Sequence, residues 1–216
     1  MTAGSALAKL TLVNATFLRQ RGRDSMEIFQ AEMHKETEDG QSIVQDVVFK
    51  FAEDDEDLFD AMKNEADMCT NHLKPLRGQG VLEFHGLYQG ALEPSGTASE
   101  PSVCACLVLQ SCGNRIRRFS EIDADVRDAL VRLVVHLHNL KIIHYNISPR
   151  TILDVNGRPF LIDFETSETH HRCLPMRMDI VKARGNPDPP ASELGGCTEI
   201  YKLLNDLNWW IPSKSL

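Results

Sequence analysis

The sequence lacks any long uninterrupted run of apolar residues. No stretch approaches the roughly 18 residues that a transmembrane helix needs. Its first residues also lack the charged region, apolar stretch and cleavage site of a secretory signal peptide. We therefore expect an intracellular protein, most simply a cytoplasmic one, that has no membrane partner.

Positive charge is also scarce. The chain has 23 lysines and arginines against 31 aspartates and glutamates, which gives a net charge of -8 at pH 7. A protein that binds nucleic acid normally presents a basic face to the phosphates. The acidic balance therefore argues against nucleic acid as a partner.

Cysteine pairs with metal-binding or redox spacing are missing as well. None of the 6 cysteines stands in a Cys-x-x-Cys pair. We expect reduced thiols, because disulfides are rare in intracellular proteins. His170, His171 and Cys173 also match no common zinc pattern with Cys197. Packing of His171 against a neighbouring loop is the favoured interpretation.

The first part of the chain shows the patterns of β-strands. Residues 10–18 are rich in apolar and β-branched side chains, and residues 26–33 alternate roughly in twos. A turn signal at 36–40 leads to a third strand at 43–51, which predicts an antiparallel meander. An acidic run at 53–57 follows, where a helix N-terminus favours negative charge. Apolar residues at helical spacing over 58–73 predict the helix itself.

Two further strands are predicted at 81–88 and 103–109, and the pattern then becomes helical. Apolar residues recur at i, i+3 and i+4 over 126–140, and 197–210 is typical of a last amphipathic helix.

The segment Cys112-Gly113-Asn114 breaks the apolar pattern, and we place a boundary there. Residues 1–110 are then five antiparallel strands with one helix, and residues 111–216 are short and mostly helical. The fold class predicted is α+β, in two parts.

Three charged residues stand out from this plan. Lys50 ends an apolar strand and must reach a partner or water, although an edge-strand lysine is the plain alternative. Glu65 lies on the following helix, where it can pair with Lys50 or be simply exposed. Asp163 follows an apolar strand and a turn, where it can hold a metal ion or cap the turn.

Two segments complete the pattern: His144-Tyr145-Asn146-Ile147-Ser148-Pro149-Arg150-Thr151-Ile152-Leu153 and Leu161-Ile162-Asp163-Phe164-Glu165. With Lys50 and Glu65 they resemble the protein-kinase signature of strand lysine, helix glutamate, HRDxxxxN loop and DFG. The chain is similar to a group of compact fungal kinase-like proteins, which carry H-x-D-I-x-x-x-N-I-L, I-D-F-E and a later H-x-C. The resemblance covers roughly residues 10–175.

The resemblance implies a two-lobed kinase-like fold that binds ATP and magnesium. It makes residues 107–113 the fifth strand and hinge, and it assigns magnesium to Asp163 with Thr151 as a weak helper. Too few residues follow Cys173 for a full helical lobe with an activation segment. The nucleotide contacts implied are Lys50, Glu65, Gln110, Cys112 and Asp163.

The departures from the family concern the chemical step. Asn146 replaces the catalytic aspartate, and an amide hydrogen-bonds a hydroxyl but does not accept its proton as a carboxylate does. Thr151 replaces the asparagine that holds a second magnesium, and Glu165 replaces the DFG glycine. Residues 19–28 stand where a glycine-rich phosphate loop belongs but retain one glycine.

Three hypotheses follow. The first is a pseudokinase that binds ATP and acts as a binding or scaffolding module, with a protein partner. The alternative is an active atypical kinase for a protein or a small molecule. The third is an α+β interaction module whose motif matches are accidental.

Overall fold

The computed structural model describes residues 10–20, 26–36, 41–93, 101–170 and 197–209. It divides into two compact units, each described by itself below. The first unit comprises Met1–Ala66 and Glu83–Ser111, and the second comprises Asp67–Leu82 and Cys112–Leu216. Residues 67–82, which the sequence plan placed in the first part, are therefore grouped with the second unit.

The first unit is a five-stranded antiparallel sheet, as predicted. The strands lie in the order β1-β2-β3-β5-β4, so the hairpin of the last two strands places β5 beside β3. This order makes β3 the central strand. The strand bounds are β1 Leu10–Gln20, β2 Glu27–Glu36, β3 Ser42–Glu53, β4 Phe84–Leu92 and β5 Ser102–Gln110.

Both faces of β3 are buried near its end. Val47 and Phe49 point to one face, where they pack in an apolar cluster with Ala31, Met33 and Val108. Phe29 of β2 stacks on Phe49 with ring centroids 5.0 Å apart. Because successive side chains alternate across a strand, Lys50 and Ala52 point to the opposite face, where both are buried.

Strand β4 differs from its prediction. It begins at Phe84 rather than at residue 81, and a bulge between Phe84 and Gly86 shifts its pairing with β5. Gly86 has φ +146°, and an added Cβ there would lie 2.8 Å from the Tyr88 ring. Val81 instead makes single bridges to Arg77 and Leu161 within the second unit.

Helix α1 spans Glu56–Asp67 and starts at the acidic run, as predicted. The Asp55 carboxylate accepts the backbone N–H of Leu58 at 3.0 Å, which satisfies one of the unpaired donors of the first turn. The predicted continuation to residue 73 is not α-helical. A π-helical turn over Met68–His72 and a 3-10 turn over Lys74–Leu76 replace it.

Within its described residues, the second unit combines a small sheet with two α-helices. Helix α2, Ala124–Asn139, and helix α3, Thr198–Asp206, confirm the two predicted amphipathic segments. Strands β6 Asn114–Arg115, β7 Ile152–Asp154 and β8 Pro159–Leu161 form an antiparallel sheet in chain order. Within the described ranges, no helix has the length and apolar character required to cross a bilayer.

Candidate functional site

Lys50 and Glu65 form a buried ion pair within the first unit. Lys50 Nζ lies 2.6 Å from Glu65 Oε2, and the two side chains are only 5% and 1% exposed. The alternation along β3 directs the lysine away from the Val47 and Phe49 cluster. Glu65 lies on the buried face of α1, which meets the lysine there.

Two of the plain alternatives are therefore wrong. Lys50 lies in the central strand of the sheet and not at an edge, and Glu65 is buried instead of exposed. A charge taken out of water is tolerated only when a partner compensates it. Lys50 and Glu65 thus pair in the folded unit, as the motif order suggested.

The two predicted hinge residues fall on either side of the division at Ser111. Gln110 ends β5, and its backbone N–H donates to the carbonyl of Glu83 at 2.9 Å. Its side-chain Oε1 accepts the Glu83 N–H at 3.3 Å, so it ties the start of β4 to the end of β5. Cys112 is a half-buried free thiol whose pKa is raised by burial.

In the second unit, His144 organises the loop that carries Asn146. Its Nδ1 accepts the N–H of Asn146 at 3.3 Å, and its Nε2 lies 3.0 Å from the carbonyl of Ile162. A ring that accepts at Nδ1 and donates at Nε2 is the neutral tautomer, and burial lowers the pKa of His144 accordingly. The ring also packs against Phe164, with centroids 4.7 Å apart.

The hydroxyl of Thr151 closes the same loop. It donates to the carbonyl of Asn146 at 2.6 Å and accepts the N–H of Ser148 at 3.1 Å. Both backbone polar groups of Asn146 are therefore used, while its side-chain amide makes no hydrogen bond to another described residue. The predicted role of Thr151 at magnesium stays a prediction, and a metal would compete with these two bonds.

Asp163 is buried and has φ +68°, in the left-handed region that non-glycine residues rarely adopt. Backbone strain of this kind is kept where the surroundings over-determine it. Phe164 supplies part of that constraint by packing on His144. Burial lowers the pKa of Arg115. The negative charge of Asp163 opposes this shift, and the positive charge of Arg150 adds to it.

Glu199, in the first turn of α3, is a site residue that sequence reasoning missed. Its carboxylate accepts the N–H groups of His144 and Tyr145 and lies 2.7 Å from Nε2 of His138. It thereby holds the start of the Asn146 loop, where Tyr145 has φ +63°. Burial favours a higher pKa for Glu199, but His138 and the two N–H groups lower it.

No local signal distinguishes Glu199 in the sequence. An acidic residue in the first turn of a helix is already explained by the helix dipole, and its partners lie 54 to 61 positions away in the chain.

Several predicted features lie outside the described residues. They are the centre of the degraded phosphate loop at 21–25, and His171 with Cys173. Among the residues that the structure describes, no group of three or more His, Cys, Asp or Glu side chains is arranged to hold a metal ion.

Comparison with known proteins finds no protein-family model and no curated protein that matches this chain. The resemblance to protein kinases therefore stays a prediction that rests on the sequence motifs.

We expect Lys50→Met to lower the free energy of unfolding by about 3–5 kcal/mol, because it leaves Glu65 charged and unpaired in the interior. Chemical denaturation followed by circular dichroism measures this change. The double variant Lys50→Met/Glu65→Leu should recover most of the loss, since apolar groups replace both ions.

The control is Lys63→Met, which breaks the exposed pair of Lys63 with Asp60 at 2.8 Å. An exposed pair contributes about 1 kcal/mol or less. Equal losses for Lys50→Met and Lys63→Met would contradict the assignment of Lys50 as a buried, paired charge.

We expect Glu199→Gln to lower the free energy of unfolding by roughly 1.5–3 kcal/mol, the usual contribution of a hydrogen bond to a charged group. Hydrogen exchange at the amides of His144 and Tyr145 should quicken, because a neutral amide holds their N–H groups less strongly. Asp206→Asn, on an exposed residue of the same helix, serves as the control. Unchanged exchange at Tyr145 would show that Glu199 does not anchor the loop.

Proposed function

We propose that this protein is a two-lobed, kinase-like protein that binds ATP and magnesium but does not transfer phosphate efficiently. In this proposal it acts as a pseudokinase, a binding or scaffolding module with a protein partner. The observation that carries the proposal is the buried ion pair of Lys50 and Glu65 on a central strand and the following helix.

The energetics of that pair support a functional reading. Replacing a buried ion pair by packed apolar residues is often neutral or stabilising, so such a pair is weak evidence for stability alone. A lysine and a glutamate kept at 2.6 Å in the interior are therefore better explained by a task for the charged groups. The resemblance assigns that task to the phosphates of a nucleotide.

The second unit supplies independent support. Asp163 follows β8 as the resemblance requires, and its left-handed backbone is constrained through Phe164 and His144. Magnesium is usually held by one or two carboxylates together with substrate phosphates, so one buried aspartate fits it without a larger protein cage. When bound, magnesium would neutralise charge on the phosphate oxygens.

The roles of the residues are then distinct. Lys50 provides a positive charge for phosphate oxygens, and Glu65 holds the lysine in place. Asp163 holds the metal ion. Asn146 can orient a hydroxyl by a hydrogen bond but does not take up its proton.

Nucleotide binding is tested by thermal denaturation with and without magnesium and ATP. We expect saturating ATP with magnesium to raise the Tm of the wild type, since a ligand at about 100 times its Kd stabilises by roughly 2.7 kcal/mol. The rise should vanish in Lys50→Ala and Asp163→Ala and persist in Lys63→Ala. The Tm difference is taken within each variant, because Lys50→Ala also lowers the stability of the free protein.

No rise in Tm at saturating ATP in the wild type would overturn the proposal. It would favour the third hypothesis, an α+β interaction module whose motif matches are accidental.

Loss of the catalytic group is tested by Asn146→Asp. A positioned general base contributes about 10²–10⁴-fold to the rate, so this variant should release phosphate from ATP, or label itself with phosphate, faster than the wild type by a factor in that range. Ser148→Asp is the matched control, because it places a carboxylate in the same loop while keeping a residue type suited to an N-cap.

Wild-type turnover at the roughly 1–100 s⁻¹ of ordinary kinases would contradict the pseudokinase. It would favour the alternative, an active atypical kinase that relies on Lys50, Glu65 and Asp163 for positioning.

A further inference from the structure

Arg115, on the short strand β6 of the second unit, is partly buried and carries an unsatisfied hydrogen-bond donor. Its Nη2 is shielded from solvent and makes no hydrogen bond within the part of the chain that the structure describes. Arg77 also has a shielded nitrogen without a partner, but its Nη2 donates to the carbonyl of Cys69. Buried polar groups are nearly always paired, so an exception on a charged group calls for an explanation such as a bound ion.

The pairing of the small sheet brings a second arginine, Arg150, toward Arg115. Arg115 lies opposite Leu153 in the ladder between β6 and β7. The 3-10 turn Pro149–Thr151, which carries Arg150, runs directly into β7. This turn therefore lies beside β6, and two guanidinium groups from separate elements are placed at the same end of the sheet.

Asp163 lies next to the same turn. The N–H of Ile162 donates to the carbonyl of Thr151 at 3.0 Å, and Asp163 follows Ile162 directly. After burial, the charges of Asp163 and Arg150 are the causes that shift the pKa of Arg115, so both lie within electrostatic range of it. Two positive charges are therefore gathered around one negative charge. This positive excess, with an unpaired donor inside it, favours the binding of an anion.

We propose that Arg115 and Arg150 form a binding site for a phosphate group. A guanidinium presents its N–H donors in a planar fork that matches the oxygens of a phosphate or a carboxylate. A carboxylate carries one charge, whereas a phosphate group carries up to two and has three acceptor oxygens. Two guanidinium groups therefore fit the phosphate better. Nη2 of Arg115 is the donor that a phosphate oxygen satisfies, and the exposed Arg150 supplies the second charge.

The phosphate assigned to this site is that of the nucleotide, and this assignment rests on the proposed function. Thr151 stands where the resemblance places the asparagine that holds a second magnesium ion. Arginine side chains and metal ions are alternative means of stabilising charge on phosphate oxygens. In this proposal, Arg115 and Arg150 supply part of the positive charge that a second metal ion supplies in kinases.

Titration calorimetry of the full-length protein tests the proposal with two ligands, ATP with magnesium and inorganic tripolyphosphate with EDTA. Arg115→Met should weaken the binding of both by about tenfold or more, because hydrogen bonds between charged groups are lost. Arg115→Lys should recover part of the affinity, since an ammonium keeps the charge but lacks the fork. Arg117→Met, on an exposed arginine two residues further along the chain, is the matched control and should leave both affinities unchanged.

The stability of the ligand-free protein is a second readout, which separates a ligand-binding role from a structural one. Because Nη2 of Arg115 has no partner in the described fold, Arg115→Met should leave the Tm of the free protein unchanged or raise it. An arginine that holds the fold together would lower the Tm when it is replaced. A lowered Tm with unchanged ligand affinities would make Arg115 a packing residue and overturn the proposal.

The two ligands also separate this proposal from the proposed function. If Arg115→Met binds ATP and tripolyphosphate as tightly as the wild type, the phosphate site is wrong while nucleotide binding stands. If the wild type binds tripolyphosphate through Arg115 but does not bind ATP, the phosphate site is supported and its assignment to a nucleotide is wrong. A wild type that binds neither ligand overturns the phosphate site as well.

Discussion

A lysine buried in the middle of a sheet needs a compensating charge, and much of the first unit is arranged around that need. The hairpin of β4 and β5 places β5 beside β3, which puts Lys50 in a central strand. Helix α1 then has to present Glu65 to the same face. The cap at Asp55 starts the helix so that Glu65 falls on its buried side, together with Met62 and Ala66.

In the second unit, another carboxylate, that of Glu199, is likewise compensated by its neighbours. Glu199 is partly buried, with one oxygen 2.7 Å from Nε2 of His138, and its carboxylate accepts two backbone N–H groups. Those N–H groups belong to the loop that leads to Asn146, so one side chain of α3 positions a loop that begins after α2. His144 and Thr151 complete the loop from inside by binding both backbone groups of Asn146.

In the proposed function, nucleotide binding and proton transfer depend on different groups. Charge on a phosphate is met by fixed cations and a metal ligand, which is the role that we propose for Lys50 and Asp163. Proton transfer needs a group of suitable basicity, and the amide of Asn146 is not one. A site of this kind can keep its affinity for nucleotide while its rate falls, because binding and proton acceptance depend on different side chains.

Some residues of the site carried their own signal in the sequence, and others did not. Lys50 was identified because a lysine is unusual at the end of an apolar strand, and Asp163 because it follows such a strand and a turn. Glu199 and His138 gave no such signal, since each is unremarkable on an amphipathic helix. Their importance arises from a contact between residues 61 positions apart.

By itself, the sequence determined the local elements of this protein. Alternating side chains predicted the five strands and helical spacing predicted α1, α2 and α3, because both patterns depend on near neighbours in the chain. Only the tertiary structure decided that β5 lies between β3 and β4, and that residues 67–82 pack in the second unit. It also brought His138 and Glu199 together, because contacts between distant segments depend on packing and leave no periodic trace in the sequence.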